Sequence, residues 1–166
     1  MEIQWDLNFG HTPSTNTGPR YDHTSYSQKG IFFARNNSFG LERKLLLPGS
    51  TFNFLSFWTG AYVYIEASRR SHGDRARLMS EWIEPSTVIC LQFWYHMFGK
   101  HIGQLNVFQA TNSSEMLVWS LSGNRGDKWM LAQATLQAKD RFKVCLSSML
   151  DIYRNLSQLL INIFRK

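Results

Sequence analysis

A long run rich in β-branched and aromatic side chains at residues 87–98 limits the possible folds more than any other part of the sequence. Every second position of a strand points to the same face, so Phe93 and Met97 would lie on one face and Cys90 and Trp94 on the other. Both faces are therefore substantially apolar. An apolar run of this length that is bounded by turns is typical of a buried, central strand.

Shorter strand-like segments separated by turns lie around this run. Turn residues recur about every 8–12 positions, which is typical of an all-β sandwich or barrel. Aromatic residues make up 14% of the chain, and large flat rings suit sheets packed face to face. The further predicted strands cover residues 61–67, 75–79, 104–109, 116–121, 129–136 and 142–146.

The C-terminal tail carries a different pattern. Its apolar residues recur at helical spacing, and Ser148 followed by Asp151 resembles a capping box. We expect a short amphipathic helix over residues 149–164 that covers an open hydrophobic edge of the sandwich, with binding to a membrane surface or a partner as the alternative. The apolar positions are Met149, Ile152, Tyr153, Leu156, Leu159, Leu160, Ile163 and Phe164.

Charge and hydropathy limit the classes of partner. The chain has 166 residues and a net charge of +6, which suits one domain and permits anionic partners. Its basic residues are scattered rather than clustered, so no nucleic-acid partner is predicted. Residues 45–65 carry no charge, but Pro48, Gly49 and several polar residues argue against a membrane span. The first six residues lack the pattern of a signal peptide.

A series of short motifs follows in a fixed order along the chain. They comprise residues 12–14, 17–19, 22–24, 60–68, 73–78, 90–99, 119–124 and 142–144, together with Trp5, Gly103, Leu105, Val107, Gly126 and Trp129. In this order they resemble the MAM family of extracellular modules, with the strongest likeness at residues 90–99. The amino-acid sequence around residues 95–103 and 119–126 is most similar to that of MAM domains of GPI-anchored adhesion proteins. The resemblance covers about residues 5–24 and 60–144, which is near two-thirds of the chain.

The resemblance implies a jelly-roll-like sandwich of two antiparallel sheets with a non-catalytic role in extracellular adhesion and no cofactor. The expected partner is a protein at the cell surface or in the matrix, which includes a second copy of the module. Residues 1–146 would form the MAM-like sandwich, with an atypical insertion at 25–58, and residues 147–166 would be a tail foreign to the family. An extracellular location follows from the family, as does membrane attachment of the parent protein.

Other functions stay open at this stage. The departures from the family pattern raise the alternative of an aberrant or partial gene product without a function of its own. A carbohydrate-binding jelly roll would use exposed rings, for which Trp82, Trp119 and Trp129 are candidates. An enzyme is disfavoured, because His23, His96 and His101 have no nucleophile motif beside them and no paired acids at useful spacing.

Two cysteines and two acidic residues are candidates for a disulfide and for a cation site. Cys90 matches a family cysteine whose partner would lie beyond the last strand, and Cys145 stands at a strand position of the pattern. A disulfide between Cys90 and Cys145 and a pair of buried free thiols are both open. Asp22, and more loosely Asp6, matches a position near the cation that some MAM domains hold, but most of the acidic cluster is missing, so no metal is predicted.

Two kinds of surface motif remain. Asn36, Asn112 and Asn155 each begin an N-glycosylation sequon, and Asn112 falls in a predicted hairpin loop. The residues Arg125, Gly126 and Asp127 spell the tripeptide that integrins recognise. That tripeptide also fits a hairpin turn before Trp129, so a recognition loop and a structural turn are both open.

Overall fold

The structure is a computed structural model that describes residues 2–12, 14, 16–21, 23, 61–66, 71–149 and 157–165. The predicted insertion at residues 25–58 lies outside the described residues. So do Asp22, Asn36 and Asn155.

Ten strands form two sheets of five strands each. Sheet I has the order β1-β4-β9-β6-β7, and sheet II has the order β2-β3-β10-β5-β8. Neighbouring strands are antiparallel except for the short β1–β4 pair, which is parallel. The all-β prediction is confirmed. The strands are β1 Glu2–Ile3, β2 Asp6–Phe9, β3 Ala61–Glu66, β4 Arg75–Met79, β5 Ser86–Gly99, β6 Gln104–Ala110, β7 Glu115–Ser122, β8 Met130–Ala138, β9 Lys143–Met149 and β10 Ser157–Arg165.

The apolar core lies between the two sheets, and β5 supplies its centre. Phe93 is fully buried and meets Trp119 of sheet I edge-on, with ring centroids 5.1 Å apart. Alternation of buried and exposed residues along β4 and β8 shows one inward and one outward face in each strand. Burial of each large apolar side chain contributes about 1.5–3 kcal/mol. The core also contains Trp5, Val63, Ile65, Leu78, Leu91, Tyr95, Met97, Leu105, Val107, Leu136, Phe142, Val144 and Leu146.

The helix predicted for the C-terminal tail is wrong. Met149 ends β9, and β10 is a strand that pairs with β3 on one side and β5 on the other. In that position one strand satisfies the backbone groups of two neighbours, which a helix packed on the sheet would leave unpaired. The sequence also places Leu159, Ile161 and Ile163 at every second position, so it fits a strand as well as a helix. Residues 150–156 of the predicted helix lie outside the described residues.

The N-terminal segment is fixed against the end of β5. The Thr17 hydroxyl donates a hydrogen bond to the Phe98 carbonyl over 2.7 Å, and the Gly18 N–H donates to the same oxygen over 3.4 Å. Gly99 has φ +147°, and a Cβ there would lie 2.9 Å from the Thr17 hydroxyl oxygen. Only glycine fits this contact and this backbone conformation. The segment before Tyr21 is thereby positioned beside β5.

None of the residues that the structure describes belongs to a helix with the length and apolar character of a membrane span.

Candidate functional site

The loop that joins β7 to β8 contains the integrin-like tripeptide. We call residues 123–129 the tied loop, because its backbone is bonded to neighbouring structure. The Arg125 N–H donates to the Met97 carbonyl over 2.7 Å, and the Gly126 N–H donates to Asn124 Oδ1 over 3.0 Å. The Arg125 guanidinium donates to the Ser122 carbonyl over 2.7 Å. The tripeptide therefore has a backbone path set by β5 and by the loop itself.

Asp127 of the tied loop is paired with a buried histidine. Its Oδ1 lies 3.2 Å from Nε2 of His96, a side chain that is only 1% exposed. Burial lowers the pKa of His96 to about 4 and outweighs the Asp127 carboxylate, which raises it. His96 is therefore neutral at pH 7, and its Nε2 donates to the carboxylate, which can only accept. Asp127 keeps 40% of its side chain exposed.

An aromatic cluster closes the tied loop onto the N-terminal segment. Trp129 lies 5.4 Å from the His96 ring and 5.7 Å from the Tyr62 ring. Its Nε1 donates to the Tyr21 carbonyl over 3.0 Å. His23 stacks on Trp94 with ring centroids 3.8 Å apart. This region is held by packing and hydrogen bonds within the chain itself.

The tryptophans weighed for carbohydrate binding differ in exposure. Trp119 is half-buried against Phe93 and lies in the core between the sheets. Trp82 is 37% exposed, and both Arg141 and Lys143 lie over its ring, at 4.8 and 5.0 Å from the centroid. Because sugars stack on the faces of such rings, the cations occupy positions that a sugar would need. Of the three candidates, only Trp82 is exposed, whereas Trp119 and Trp129 are half-buried.

The two cysteines lie in different sheets and are not bonded to each other. Cys90 is exposed on β5, and Cys145 is buried on β9. The guanidinium of Arg77 lies 3.2 Å from the Cys145 sulfur through both Nε and Nη2. Arg77 also forms an ion pair with Glu115. Hydrogen bonds to Glu115 and to Cys145 raise the pKa of Arg77, so this cation stays charged.

No sequence pattern predicts this arrangement of Arg77, because its partners lie 38 and 68 positions away along the chain. The same holds for His96, whose partner Asp127 lies 31 positions away. Of the histidines that the sequence analysis considered, His23 and His96 both meet Trp129. In the part of the chain that the structure describes, no group of three His, Cys, Asp or Glu side chains is placed to hold a metal ion.

The sequon at Asn112 lies at the tip of the β6–β7 hairpin. We call residues 111–114 the sequon hairpin. The Thr111 N–H donates to the Ser114 carbonyl over 2.8 Å, and the Ser114 N–H donates to the Thr111 hydroxyl over 3.1 Å. Asn112 and Ser113 between them are exposed. The sequons at Asn36 and Asn155 begin outside the described residues, so the structure gives no position for them.

A protein-family model matches the part of the chain that contains most of the two sheets. The model described as "MAM domain, meprin/A5/mu" matches residues 48–161. The chain belongs to the MAM family. The match runs from before β3 to residue 161 within β10, so it includes strands of both sheets.

Individual relatives place this MAM chain among modules of much larger proteins. The MAM domain-containing glycosylphosphatidylinositol anchor protein 1 of Gallus gallus is 42% identical over 90 residues, which is 51% of this chain and 10% of that protein. Neuropilin-1a of Danio rerio is 27% identical over 155 residues, which is 90% of this chain and 13% of that protein. The chain thus spans about a tenth of the length of these relatives.

Solved structures give more distant likenesses to this MAM chain. The adhesin domain of Lys-gingipain from Porphyromonas gingivalis W83 matches with a TM-score of 0.46 and 11% identity, over 67% of this chain and 76% of that one. A Family 16 carbohydrate-binding module matches with a TM-score of 0.40 and 16% identity, over 63% of this chain and 75% of that one. Likenesses at this level carry no functional argument.

Proposed function

We propose that the chain is a non-catalytic extracellular recognition module that binds a protein partner at the cell surface or in the matrix. The observation that carries this proposal is the family match over residues 48–161, which extends from the approach to β3 into β10. The relatives supply a second support. The name of the Gallus gallus relative includes a glycosylphosphatidylinositol anchor, which holds a protein at the membrane through a lipid.

The proposal includes attachment to a membrane through another part of a larger protein. Relatives that match this chain are about ten times longer than the matched segment. A module of this size suits a larger protein in which other segments provide the anchor. The partner proposed is a protein, and a second copy of the module is one form that such a partner takes.

A binding experiment with the full chain tests this function. Beads coated with the folded chain should capture cells or matrix proteins saturably, and beads coated with heat-unfolded chain should not. Clumping of coated beads among themselves would identify a second copy as the partner. Absence of saturable binding by the folded chain, across cell types and matrix proteins, would overturn the proposal.

A variant at Trp82 separates protein recognition from carbohydrate binding. Because Trp82 is the exposed ring among the three tryptophans considered, Trp82→Ala should abolish binding to a glycan array if carbohydrate is the ligand. Protein recognition instead predicts that the Trp82→Ala chain captures as many cells as the native chain, within experimental error. Trp82→Phe, which retains a ring under Arg141 and Lys143, is the matched control.

Cooperative unfolding tests the alternative of a product without function. The described buried residues between the sheets form one packed cluster, which includes Trp5 near the N-terminus and Leu146 in β9. The purified chain should therefore unfold in one sharp thermal transition. A gradual loss of near-ultraviolet circular dichroism with no transition would favour the aberrant-product alternative.

A further inference from the structure

The tip of the β6–β7 hairpin combines an exposed sequon with an exposed amide. Asn112, Ser113 and Ser114 are all exposed. The oligosaccharide of an N-glycan is bulky and needs a surface position, which this tip provides. The residues that flank the tip, Ala110 and Glu115, are paired across the ladder, so the turn is short and projects from the sheet.

The hairpin does not use the Asn112 amide for its own structure. The hydroxyl of Thr111 accepts from the N–H groups of Ser113 and Ser114, over 3.4 and 3.1 Å, and contacts the Ser114 hydroxyl over 3.0 Å. Among the described residues, no hydrogen bond of this turn involves the Asn112 side chain. A sugar linked to Nδ2 of Asn112 would therefore displace no bond of the turn.

The strand that leaves this hairpin exposes apolar side chains at a sheet edge. Among the described strands, β7 is one of the two edges of sheet I and pairs with β6 alone. Met116 and Leu117 at its start are 53% and 51% exposed. Edge strands of this kind invite pairing with other chains unless something blocks them. The single charged residue of β7, Glu115, is already engaged by Arg77.

The far half of β7 is protected by a bulge that the near half lacks. The register shifts between Val107 and Phe108, so an extra residue, Val118, forms a bulge in β7. Bulges blunt an edge by twisting it away from a flat approach. Met116 and Leu117 lie before this bulge, and a strand rise of about 3.4 Å per residue puts Leu117 about 10 Å from Ser114.

We propose that Asn112 carries an N-linked glycan and that this glycan covers the exposed start of β7. The chemistry is the transfer of an oligosaccharide from its lipid diphosphate carrier to Nδ2 of Asn112. A C–N glycosidic bond forms, the bond between the sugar and the carrier phosphate breaks, and the amide loses one proton. This inference rests on the extracellular function proposed above, because sequons are modified only in the secretory pathway.

Occupancy of the site is tested in cells that glycosylate. The full chain is expressed behind a cleavable secretion leader, with Asn36→Gln and Asn155→Gln so that one sequon remains. Removal of N-glycans should shift the chain to higher mobility and convert Asn112 to Asp, detected by mass spectrometry in heavy-oxygen water. Asn112→Gln and Ser114→Ala should abolish the shift, whereas Ser114→Thr, which restores the sequon, should retain it.

Leader removal shows that a chain entered the secretory pathway, even if it is retained there because it folds poorly. An unmodified Asn112 in chains that have lost their leader would overturn the proposal. This result leaves the recognition function standing, since that function is read from binding to cells. Conversely, a modified Asn112 on a folded chain that binds no cell or matrix protein would overturn the recognition function and leave the site standing.

The covering role is tested by self-association. At rising concentration the Asn112→Gln chain should form dimers or larger species by light scattering, whereas the glycosylated chain should stay at its low-concentration mass. Adding Leu117→Lys to Asn112→Gln should restore that mass, because a lysine on an edge strand opposes pairing. Equal masses for the two proteins, or association that Leu117→Lys leaves unchanged, would overturn the covering role.

Discussion

The loops at the two ends of β7 differ in how many hydrogen bonds they form with the rest of the chain. The tied loop after β7 is bonded through its backbone to Met97, and its Asp127 is paired with the buried His96. Among the described residues, the sequon hairpin before β7 is held only by bonds between Thr111 and its neighbours within the turn, and its Asn112 is exposed. One strand therefore joins a loop that is anchored to the second sheet and a loop whose tip is available to solvent.

The contacts around a short motif determine whether its side chains are available to a partner. Both the tripeptide at residues 125–127 and the sequon at residues 112–114 are visible in the sequence. The structure engages Arg125 and Asp127 in bonds within the chain and leaves the Asn112 amide outside the bonds of its turn. Packing around each loop thus decides which motif can meet a partner without first breaking internal bonds.

Replacement of Trp129 should show the largest contrast between the two loops. Trp129→Ala removes ring contacts to His96 and Tyr62 and the bond to the Tyr21 carbonyl, and should lower the free energy of unfolding by about 3 kcal/mol. Met116→Ala, at an exposed apolar position beside the sequon hairpin, should change it by less than about 0.5 kcal/mol. Urea denaturation measures both.

Trp129→Phe refines this test. A phenylalanine keeps an aromatic ring in the cluster but loses the Nε1 donor, so the cost should be nearer about 1 kcal/mol. Similar losses for Trp129→Ala and Met116→Ala would mean that the tied loop is no better anchored than the sequon hairpin.

Stability should fall as the pH decreases through the range set by His96. Burial lowers the pKa of His96 from 6.5 to about 4, so between these values the unfolded chain binds a proton that the folded chain does not. The stabilisation due to neutral His96 is complete above pH 6.5 and is lost as the pH falls through 4, by at most about 1.4 kcal/mol per pH unit. Urea denaturation at a series of pH values measures the slope.

His96→Phe should reduce that slope, because the titrating group is gone. Asp127→Asn removes the carboxylate that raises the pKa of His96, so the pKa should fall further and the loss should extend to lower pH. A slope that is identical in the native chain and in His96→Phe would show that another group carries the pH dependence.

A smaller effect is expected at the sequon hairpin. Thr111→Ala removes the hydroxyl that accepts from Ser113 and Ser114, and should cost about 1 kcal/mol. Thr111→Ser keeps the hydroxyl and should cost less. Thermal unfolding measures both, and equal losses would assign the effect to the threonine methyl group rather than to the hydroxyl.

The smallest effect is expected for the integrin-like tripeptide. Asp127→Glu should leave attachment of cells to the immobilised chain unchanged, because Asp127 is engaged by His96 and Arg125 by the Ser122 carbonyl. Asp127→Lys, which reverses the charge, is the matched variant at the same position. Loss of attachment with Asp127→Glu would show instead that the tripeptide binds the cell directly.

Much of the fold could be predicted because burial imposes a simple period on β-strands. The run at residues 87–98 is apolar on both faces, and β5 is indeed flanked by β10 and β8 within its sheet. The strand β8 alternates clearly between buried and exposed positions. Such local patterns depend on each residue and its near neighbours, so they are legible in one sequence.

The tail strand and the long-range side-chain contacts could not be predicted from the sequence, for a physical reason. The apolar residues of the tail fit both a helical and an alternating spacing, and pairing with β3 and β5 decided the outcome. The His96–Asp127 and Arg77–Cys145 contacts join residues far apart in sequence, and only the sheet order brings them together. No local pattern encodes such contacts, and this limits what the sequence shows of the candidate site.

The place of β10 has a consequence for how the protein is made. It is the last strand of the chain that the structure describes, yet it lies between β3 and β5 rather than at the margin of its sheet. While a ribosome is still adding residues 157–165, β3 and β5 each have one side without a strand partner. Completion of sheet II therefore follows translation of the tail and is a late event in folding.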